Sequence, residues 1–313
     1  MSKLLPIIID CDPGHDDAIM LMLAFGSKAF DIKAVTISAG NQTQEKTLRN
    51  ALRILTLIGV EAPVYKGCEK PLFRELLIAE NVHGKTGLDG TDLPEPAFSH
   101  NEESALNAMK QILENSNEKV TIVVTGPLTN IAAFLLLFPS LKEKIKEIVL
   151  MGGSIFRGNY TPHAEFNIYV DPEAASIVFN SGLPIVMHGL EVTHKALFFQ
   201  EDIELFRSIE NKTGKAIAEL VDFFSVFYRK NRPELGGGAA LHDPCTIAWL
   251  IDPTMFQSKP CHVEIETTGK FTAGATVVDY YNLLKKPPNA EVVYDVNREA
   301  FVQLLYKTIK TLP

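Results

Sequence analysis

Short apolar runs and longer amphipathic stretches alternate along this chain. The first apolar run, residues 4–9, is typical of a buried strand, and the mostly apolar residues 19–25 begin a helix. The same order of strand and then helix recurs, which predicts parallel strands joined by right-handed crossovers. We therefore predict an α/β fold with an open, mostly parallel (mixed) central sheet flanked by helices.

The later elements follow from the same two periodicities. Further strands are predicted at 32–38, 64–65, 119–125, 147–151, 184–187, 261–266, 275–279 and 290–294. Further helices are predicted at 48–58, 104–113, 201–209 and 215–229, with others ending at Leu137, opening at Asp171 and Asp243, and starting at Arg298. Residues 70–100 show little periodicity. We expect a functional loop there that covers or borders a site, because long irregular loops are uncommon in compact domains.

Four carboxylates stand within eight positions where the first strand ends, at Asp10, Asp12, Asp16 and Asp17. The carboxyl ends of parallel strands are where open α/β sheets bind ligands. Burying several like charges is costly unless a cation opposes them. The alternative is a solvated turn whose acids cap the following helix, although a cap needs only one or two of them. We expect a bound cation.

Polar residues also follow later strands, at Asn41, at Thr125, at 159–167 and at the pair His242-Asp243. In a parallel sheet these strand ends share one edge, so distant segments should converge on one pocket. Carboxylate, amide and main-chain carbonyl oxygens, without a thiolate cluster, favour a hard cation such as calcium or magnesium over zinc.

Three histidines have candidate roles. The ordinary pKa of His242 would make it a proton donor near neutrality, although a lone histidine before a helix is more often structural. His15, inside the acidic turn, is expected to pair with the neighbouring acids, and for His83 a pocket role and a surface role are both open. Side chains suited to binding hydroxyl groups, and equally to forming turns, are Asn41, Asn159, Glu165 and Asn167.

Composition limits the class of protein. With 313 residues, 46% of them hydrophobic and 22% charged, the chain is predicted to form a single domain over residues 1–313. A net charge of −8 without a basic stripe argues against nucleic acid as a partner. No apolar run is longer than 131–138, which is far shorter than the roughly 18 residues that span a membrane. No secretory signal and no paired cysteine spacing are evident, so we expect a cytoplasmic protein with reduced thiols.

Seven segments form an ordered set of motifs. They are Asp-Cys-Asp-Pro-Gly-His-Asp-Asp-Ala at 10–18, Gly-Asn-Gln-Thr at 40–43, Asn-Val-His-Gly at 81–84, Thr-Gly-Pro-Leu-Thr-Asn at 125–130, Met-Gly-Gly at 151–153, Ala-Glu-Phe-Asn at 164–167 and Leu-His-Asp-Pro at 241–244. Together they resemble the inosine-uridine-preferring nucleoside hydrolase family from the first strand to the last helix. Segments 81–90, 191–196 and 276–281 are most similar to its pyrimidine-specific ribonucleoside hydrolases.

The resemblance implies a Rossmann-like nucleoside hydrolase fold and a homo-oligomer, either a tetramer or a dimer. It also implies an enzyme that cleaves the N-glycosidic bond of a small-molecule ribonucleoside to ribose and free base, with one Ca²⁺ per subunit. By position, the metal ligands would be Asp12, Asp17, the carbonyl of Thr125, Asp243 and also Asp10, in or next to the coordination shell. The ribose would be bound by Asp16, Asn41, Asn159, Glu165 and Asn167, and the base by His83 and His242.

The chemistry of this reaction agrees with those roles. Breaking a ribosyl C–N bond passes through an oxocarbenium-like state, so the site must stabilise positive charge, activate water and help the base leave. Calcium can orient a water and the ribose hydroxyls while Asp12 accepts the water's proton, and His242 is the first candidate for protonating the base. Residues 230–235, however, lack an aromatic residue that some pyrimidine-cleaving relatives carry there, which leaves the preference for uridine and cytidine open.

Three alternatives stay open at this point. A broad-specificity inosine-uridine nucleoside hydrolase would share the metal and ribose sites but also accept purines. Asp10 and Asp12 after a strand are also typical of aspartyl-nucleophile phosphatases, which need a lysine for the phosphate, and none is clearly placed. A non-catalytic, calcium-stabilised nucleoside-binding protein would not require Asp12 and His242 together.

Overall fold

A computed structural model describes residues 3–313 of the protein. Within this range nine strands form one central sheet, and four more form two small antiparallel sheets. In chain order the strands are β1 (Leu5–Cys11), β2 (Phe30–Ile37), β3 (Val64–Lys66), β4 (Asn101–Ser104), β5 (Val120–Val124), β6 (Ile145–Met151), β7 (Ile185–His188), β8 (Leu197–Phe198), β9 (Ala239–Ala240), β10 (Phe256–Cys261), β11 (Val263–Ile265), β12 (Thr276–Val278) and β13 (Ala290–Val296).

Helices connect most of the strands. In chain order they are α1 (His15–Ser27), α2 (Gln44–Leu57), α3 (Glu80–His83), α4 (Ala105–Asn115), α5 (Thr129–Leu137), α6 (Phe166–Val170), α7 (Pro172–Phe179), α8 (Leu190–Thr193), α9 (Gln200–Arg207), α10 (Lys212–Asn231), α11 (Pro244–Ile251) and α12 (Arg298–Ile309). Three 3-10 turns lie at Pro139–Lys144, Pro233–Leu235 and Pro253–Met255. Over the described residues, none of the helices combines the length and apolarity that crossing a membrane requires.

The central sheet has the order β10-β13-β7-β6-β5-β1-β2-β3-β4. Every neighbouring pair is parallel except β10 with β13, which is antiparallel, so the predicted mostly parallel, mixed sheet is confirmed. The strand order changes direction between β1 and β5, and such a switch point opens a crevice at the carboxyl ends of the strands. Asp10 pairs with Val124, so the residues that follow these two strands leave the sheet side by side.

Hydrophobic cores cover both faces of the sheet. Ile7 and Ile9 of β1 belong to one core, and Ile8 belongs to the other, as the alternation of side chains along a strand requires. Helix α1 is apolar nearly all round because it is enclosed by the sheet and by α2, α10, α11 and α12. Its first turn is thereby fixed against the end of β1.

The structure corrects one predicted strand. Residues 261–266 do not form a continuous strand, because the chain leaves β10 at Cys261 and enters a separate small sheet as β11. The side chain of Asn289 accepts the N–H of Val263 at 2.8 Å and donates to its carbonyl at 2.9 Å. The Asn289 amide thus satisfies the main-chain N–H and C=O of Val263 at the point where the chain leaves the central sheet.

Candidate active site

The four acids at the end of β1 and in the turn after it are all buried. Their exposure is at most 5%, so the interpretation as a solvated turn is wrong. Asp16 and Asp17 lie in the first turn of α1, and Asp17 Oδ2 accepts the N–H of Gly14 at 3.0 Å. A single carboxylate therefore caps the helix, and capping does not explain the other three.

A fifth acid, Asp243, joins the turn from the start of α11. Oxygens of Asp16, Asp17 and Asp243 lie within 4.8 Å of one another, and we call these residues the acid trio. Burial and then the charge of Asp17 raise the pKa of Asp16 to about 7. Burial and then the charge of Asp16 raise the pKa of Asp243 well above its ordinary value. Buried carboxylates this close need a cation or bound protons, so the acid trio could hold a metal ion.

Asp12 lies beside the acid trio. Its Oδ2 accepts the main-chain N–H of Asn41 at 2.6 Å, and its buried Oδ1 has no hydrogen-bond partner among residues 3–313. Glycines make room for this carboxylate: a Cβ on Gly40 would lie 2.1 Å from Oδ2, and one on Gly126 would lie 2.6 Å from Oδ1. An orphaned buried oxygen of this kind suits a bound cation or water.

Asp10 contacts a different set of groups. Its Oδ2 accepts hydrogen bonds from Thr36 Oγ1 at 2.5 Å and from Asn130 Nδ2 at 2.8 Å. Asn130 in turn accepts the N–H of Cys68 at 2.7 Å, so Asp10 connects β1 to β2 and to the segment after β3. Burial raises the pKa of Asp10 to about 7. These contacts give Asp10 a structural role, while its buried Oδ1, like that of Asp12, has no hydrogen-bond partner among residues 3–313.

Neutral side chains orient Asp17 and connect it to the cavity. Thr125 Oγ1 donates to Asp17 Oδ1 at 2.8 Å, and Asn41 Nδ2 donates to Asp17 Oδ2 at 3.0 Å. The carbonyl of Thr125 accepts a hydrogen bond from Asn167 Nδ2 at 2.7 Å. Asp17 is thus held by groups that follow β2 and β5, the two strands on either side of β1.

These residues border a cavity of about 240 Å³. Its lining contains all the residues predicted for the ribose and the base, together with two of the predicted metal ligands: Asp16, Asn41, His83, Asn159, Glu165, Asn167, His242, Thr125 and Asp243. Asp10, Asp12 and Asp17 are fully buried, and Asp12 and Asp17 contact the lining through Asn41. Ala79, Asn81 and Val82 also line the cavity, so the irregular segment 70–100 borders the site as expected.

Glu165 and Asn159 shape the segment that carries them. Glu165 caps α6, since its Oε1 accepts the N–H of Asn167 at 2.9 Å and its Oε2 that of Ile168 at 3.2 Å. Its Oε2 also accepts the N–H of Gly153 at 2.9 Å. Burial raises the pKa of Glu165 to about 6 even though these N–H groups oppose the rise. Asn159 Oδ1 accepts the N–H of Phe166 at 3.0 Å. Both side chains form turns, and both line the cavity, where hydroxyl binding stays a prediction.

A second group of lining residues was missed in the sequence. It consists of Phe224, Phe227 and Tyr228 on α10, together with His194 and Arg232. The hydroxyl of Tyr228 lies 2.6 Å from His242 Nε2, and Thr193 Oγ1 lies 2.7 Å from His242 Nδ1. An aromatic ring therefore does reach the cavity, two residues before segment 230–235. The only signal was apolar spacing on a helix, which also describes ordinary core residues.

Two expectations about histidine are wrong. Burial, then His194 and Arg232, lower the pKa of His242 well below its ordinary value, so His242 is neutral at neutral pH. Burial lowers the pKa of His15 to about 4. The ring of His15 meets the carbonyl of Asp89 and His83 instead of pairing with the neighbouring acids. In both cases the buried surroundings disfavour the charged ring.

A family model described as inosine-uridine preferring nucleoside hydrolase matches residues 7–303. The chain belongs to this family. The pyrimidine-specific ribonucleoside hydrolase RihA of Photobacterium profundum is 60% identical over 302 residues, which cover 96% of this chain and 97% of that protein. The protein of the same name from Escherichia coli is 57% identical over 307 residues, 98% of each chain.

The fold of this nucleoside hydrolase agrees with a solved structure of the same class. A purine-preferring ribonucleoside hydrolase from Gardnerella vaginalis matches it with a TM-score of 0.91 at 33% sequence identity, over 97% of this chain and 98% of that one. The family, the fold class and the enzyme class expected from the sequence are therefore confirmed, and the phosphatase alternative is excluded.

Proposed function

We propose that this enzyme hydrolyses pyrimidine ribonucleosides, uridine and cytidine, with one Ca²⁺ per subunit. The observation that carries the proposal is the buried acid trio at a cavity lined by amide and carboxylate groups. The relatives named as pyrimidine-specific, at 60% and 57% identity, support the base preference. A cytoplasmic homo-oligomer, tetramer or dimer, belongs to the same proposal through the family resemblance.

The donor set suits a hard divalent cation. The proposed ligands are Asp12, Asp17, the carbonyl of Thr125 and Asp243, with Asp10 next to them. All of these donors are oxygen atoms, as Ca²⁺ prefers, and Asp12 Oδ1 has no protein partner within the described chain. When bound, Ca²⁺ supplies the positive charge that lets neighbouring carboxylates ionise together, and it acts as a Lewis acid toward oxygen.

Asp12 is the proposed general base. Its Oδ1 is available to accept the proton of an attacking water, while the N–H of Asn41 holds Oδ2 in place. Burial, followed by the charge of Asp17, raises the pKa of Asp12 above its ordinary value. A bound cation would oppose this rise and keep the carboxylate ionised, as a general base must be before it accepts a proton.

The proposed ribose-binding side chains each carry a carboxylate or an amide group and line the cavity. They are Asp16, Asn41, Asn159, Glu165 and Asn167. Carboxylates accept hydrogen bonds from sugar hydroxyls, and their negative charge stabilises the oxocarbenium-like transition state. The same acids would repel a 5′-phosphate. A neutral nucleoside is therefore a better substrate than a nucleotide.

Tyr228 and His242 together serve the leaving base. Both ring nitrogens of His242 contact hydroxyl groups, those of Tyr228 and Thr193. A proton that moves between His242 and a bound base would therefore pass through the Tyr228 hydroxyl. Burial keeps the pKa of Tyr228 well above its ordinary value, so the hydroxyl is protonated at neutral pH. Tyr228 would donate this proton as the C–N bond breaks. With its proton on Nε2, His242 would donate to the resulting tyrosinate and oppose the rise in pKa caused by burial, until Tyr228 regains a proton from solvent.

The test is release of reducing sugar from uridine, cytidine, inosine and adenosine by the purified protein with Ca²⁺. We expect the two pyrimidine nucleosides to react fastest and a chelator to stop the reaction. In Asp12→Ala, kcat should fall by about 10²–10⁴-fold because the general base is lost. Asp92→Asn is the matched control, since Asp92 is fully exposed and should be dispensable.

The outcomes separate the alternatives. Sugar release from none of the four nucleosides, in protein that binds uridine in calorimetry, would favour the non-catalytic nucleoside-binding protein over the proposal. Inosine cleavage as fast as uridine cleavage would favour the broad-specificity hydrolase, for which the purine-preferring structural relative is the precedent.

A further inference from the structure

His83 lies on the cavity wall, and one of its two ring nitrogens is available to a ligand. Its Nδ1 lies 3.1 Å from Nδ1 of His15, while its Nε2 makes no hydrogen bond within residues 3–313. The His83 ring can lie this close to the turn before α1 only because residue 14 is glycine, since a Cβ on Gly14 would lie 2.7 Å from His83 Nδ1. A neutral imidazole carries one proton, so the partner of Nδ1 decides whether Nε2 donates or accepts.

The proton on His15 is fixed by a main-chain carbonyl. His15 Nε2 lies 2.8 Å from the oxygen of Asp89, and a carbonyl only accepts, so Nε2 carries the proton. The ring is buried and stacks on Phe223 and Phe224 with centroids 5.3 Å apart in each case. No carboxylate in the described chain is hydrogen-bonded to this ring, so a charged form would be unpaired. His15 Nδ1 therefore presents a lone pair.

That lone pair sets the tautomer of His83. One hydrogen must lie between two nitrogens 3.1 Å apart, and only His83 can supply it, so His83 Nδ1–H donates to His15. The main-chain N–H of His15 also approaches His83 Nδ1, at 3.3 Å, and would favour the opposite tautomer. This second contact is longer than the contact between the two rings. If His83 Nδ1 accepted it, the lone pairs of His83 Nδ1 and His15 Nδ1 would face each other and repel.

A tight turn holds the carbonyl of Asp89 in place. Asp89 Oδ2 accepts the N–H of Lys85, and Oδ1 accepts that of Thr86, each at 3.0 Å. Gly84 has a φ of +77°, and a Cβ there would lie 2.3 Å from Asp89 Oδ2. The turn after α3 is thus built to present this carbonyl to the acidic motif.

We propose that His15 is a positioning residue that fixes the tautomer of His83, so that His83 offers Nε2 as a hydrogen-bond acceptor to the base. The inference rests on the proposed function. Cytosine carries a matching donor in its 4-amino group, and uracil carries one at N3–H. A nucleoside without such a donor leaves the buried acceptor unpaired and is selected against.

The tautomer can be measured directly. NMR of the calcium-loaded enzyme with ¹⁵N-labelled histidine distinguishes protonated from unprotonated ring nitrogens, and His83→Gln identifies the signals. We expect His83 to be protonated at Nδ1. In His15→Phe, which keeps the stacked ring, the main-chain N–H at position 15 remains as the only partner, so the proton should move to Nε2. Phe223→Leu removes one stacking partner, keeps both nitrogens, and should leave the tautomer unchanged.

Kinetics test the consequence for substrate choice. The 2-pyrimidinone ribonucleoside is cytidine without its 4-amino group, and the wild type should prefer cytidine by about 10-fold or more in kcat/KM. In His15→Phe this preference should fall about fivefold or more, because the donor at Nε2 no longer matches the amino group. The p-nitrophenyl riboside has no donor on its leaving group, and its rate should change less than about twofold.

A wild-type spectrum with His83 protonated at Nε2 would overturn the proposal, and this reading does not depend on whether His15→Phe folds. An unchanged tautomer and an unchanged cytidine preference in folded His15→Phe would overturn it as well. Failure of the proposed function looks different: no ribonucleoside is cleaved, while the wild-type tautomer still supports the positioning of His83 by His15.

Discussion

The two groups of residues around the cavity are built in different ways. The acid trio and its partners follow strand ends, and they are held by glycines and main-chain N–H groups close to them in the sheet. The Tyr228–His242 side depends on one long helix, α10, that packs against segments far away in the sequence. The first arrangement places several like charges close together, and this clustering is visible in the sequence. The second is made of side chains that resemble an ordinary core.

This contrast leads to a division of chemistry. If the acids serve the sugar and the water, they are needed for every riboside. If Tyr228 and His242 serve only the leaving group, they are needed only where that group must be protonated. The leaving group of the substrate is therefore the variable that separates the two regions.

The largest expected effect follows from that variable. His242→Ala should lower kcat on cytidine by about 10²–10⁴-fold, because protonation of the base loses its support. On the p-nitrophenyl riboside, whose leaving group needs no proton, the same variant should keep nearly full activity, whereas Asp12→Ala should lose activity on both substrates. Steady-state kinetics on the two substrates provide the measurement.

The matched control is His100→Ala, because His100 is exposed. It should leave both rates unchanged. Equal losses of activity on the two substrates in His242→Ala would mean that His242 supports the sugar side of the site. The assignment of Tyr228 and His242 to the leaving group alone would then be wrong.

A second prediction concerns the acids without their metal. Burial raises the pKa of Asp10 and of Asp16 to about 7, against about 4 in the unfolded chain. The folded state therefore binds protons more tightly than the unfolded state, and this stabilisation is lost as pH rises through 7. Buried His15, with its pKa lowered to about 4, acts in the opposite sense, but only below about pH 6.5, where the unfolded chain takes up the proton.

The last part of this loss falls between pH 6.5 and pH 8.5, where the two carboxyls together should lower the stability of the metal-free protein by roughly 1–2 kcal/mol and its Tm by about 2–3 °C. Ca²⁺ should remove most of that fall, since the cation replaces the protons among the carboxylates. Thermal melts with chelator and with Ca²⁺ at both values of pH measure this. A Tm of the metal-free protein that rises over the same interval would contradict the raised pKa values.

The sequence predicted the fold best where strands were long and apolar. The predictions for β1, β2, β5 and β6 place the strand ends within two residues of those in the structure, because buried strands produce continuous apolar runs. β4 is a polar edge strand, Asn101–Ser104, and β8 has only two residues, so neither leaves a periodic signal. These pieces become strands because of the neighbours they pair with, and a local pattern cannot contain that information.

The candidate site was likewise predictable only where the position of a residue follows from the local sequence. Asp12 and Thr125 could be assigned to one edge because each directly follows a parallel strand. Tyr228 could not, because its approach to His242 depends on how α10 crosses the cavity. The lowered pKa of His242 was also beyond reach, since burial is a property of the fold and not of the two residues beside it.

The smallest expected effect concerns Asp10, which lies at the end of β1 beside the other acids but accepts hydrogen bonds from Thr36 and Asn130. In Asp10→Asn, the amide oxygen can occupy the place of Oδ2 and accept both hydrogen bonds, and the amide nitrogen takes the place of the unpaired Oδ1. If Asp10 is structural, Ca²⁺ affinity and kcat should change by less than about threefold. If its Oδ1 is a metal ligand, Ca²⁺ affinity should fall by about tenfold or more, as it does when coordination is disturbed.

Asp10→Leu completes the test, because it removes the oxygen that accepts from both Thr36 and Asn130. Asn130 Nδ2 then loses its acceptor, and Thr36 keeps only a 3.4 Å contact with the carbonyl of Ile9. The free energy of unfolding should then decrease by about 1–3 kcal/mol for each unpaired group. Calcium titration and denaturant unfolding of both variants separate the possibilities. A stable Asp10→Asn with weak Ca²⁺ binding would place Asp10 with the metal ligands. A loss confined to Asp10→Leu would make it the residue that holds the ends of β1 and β2 in register under the metal site.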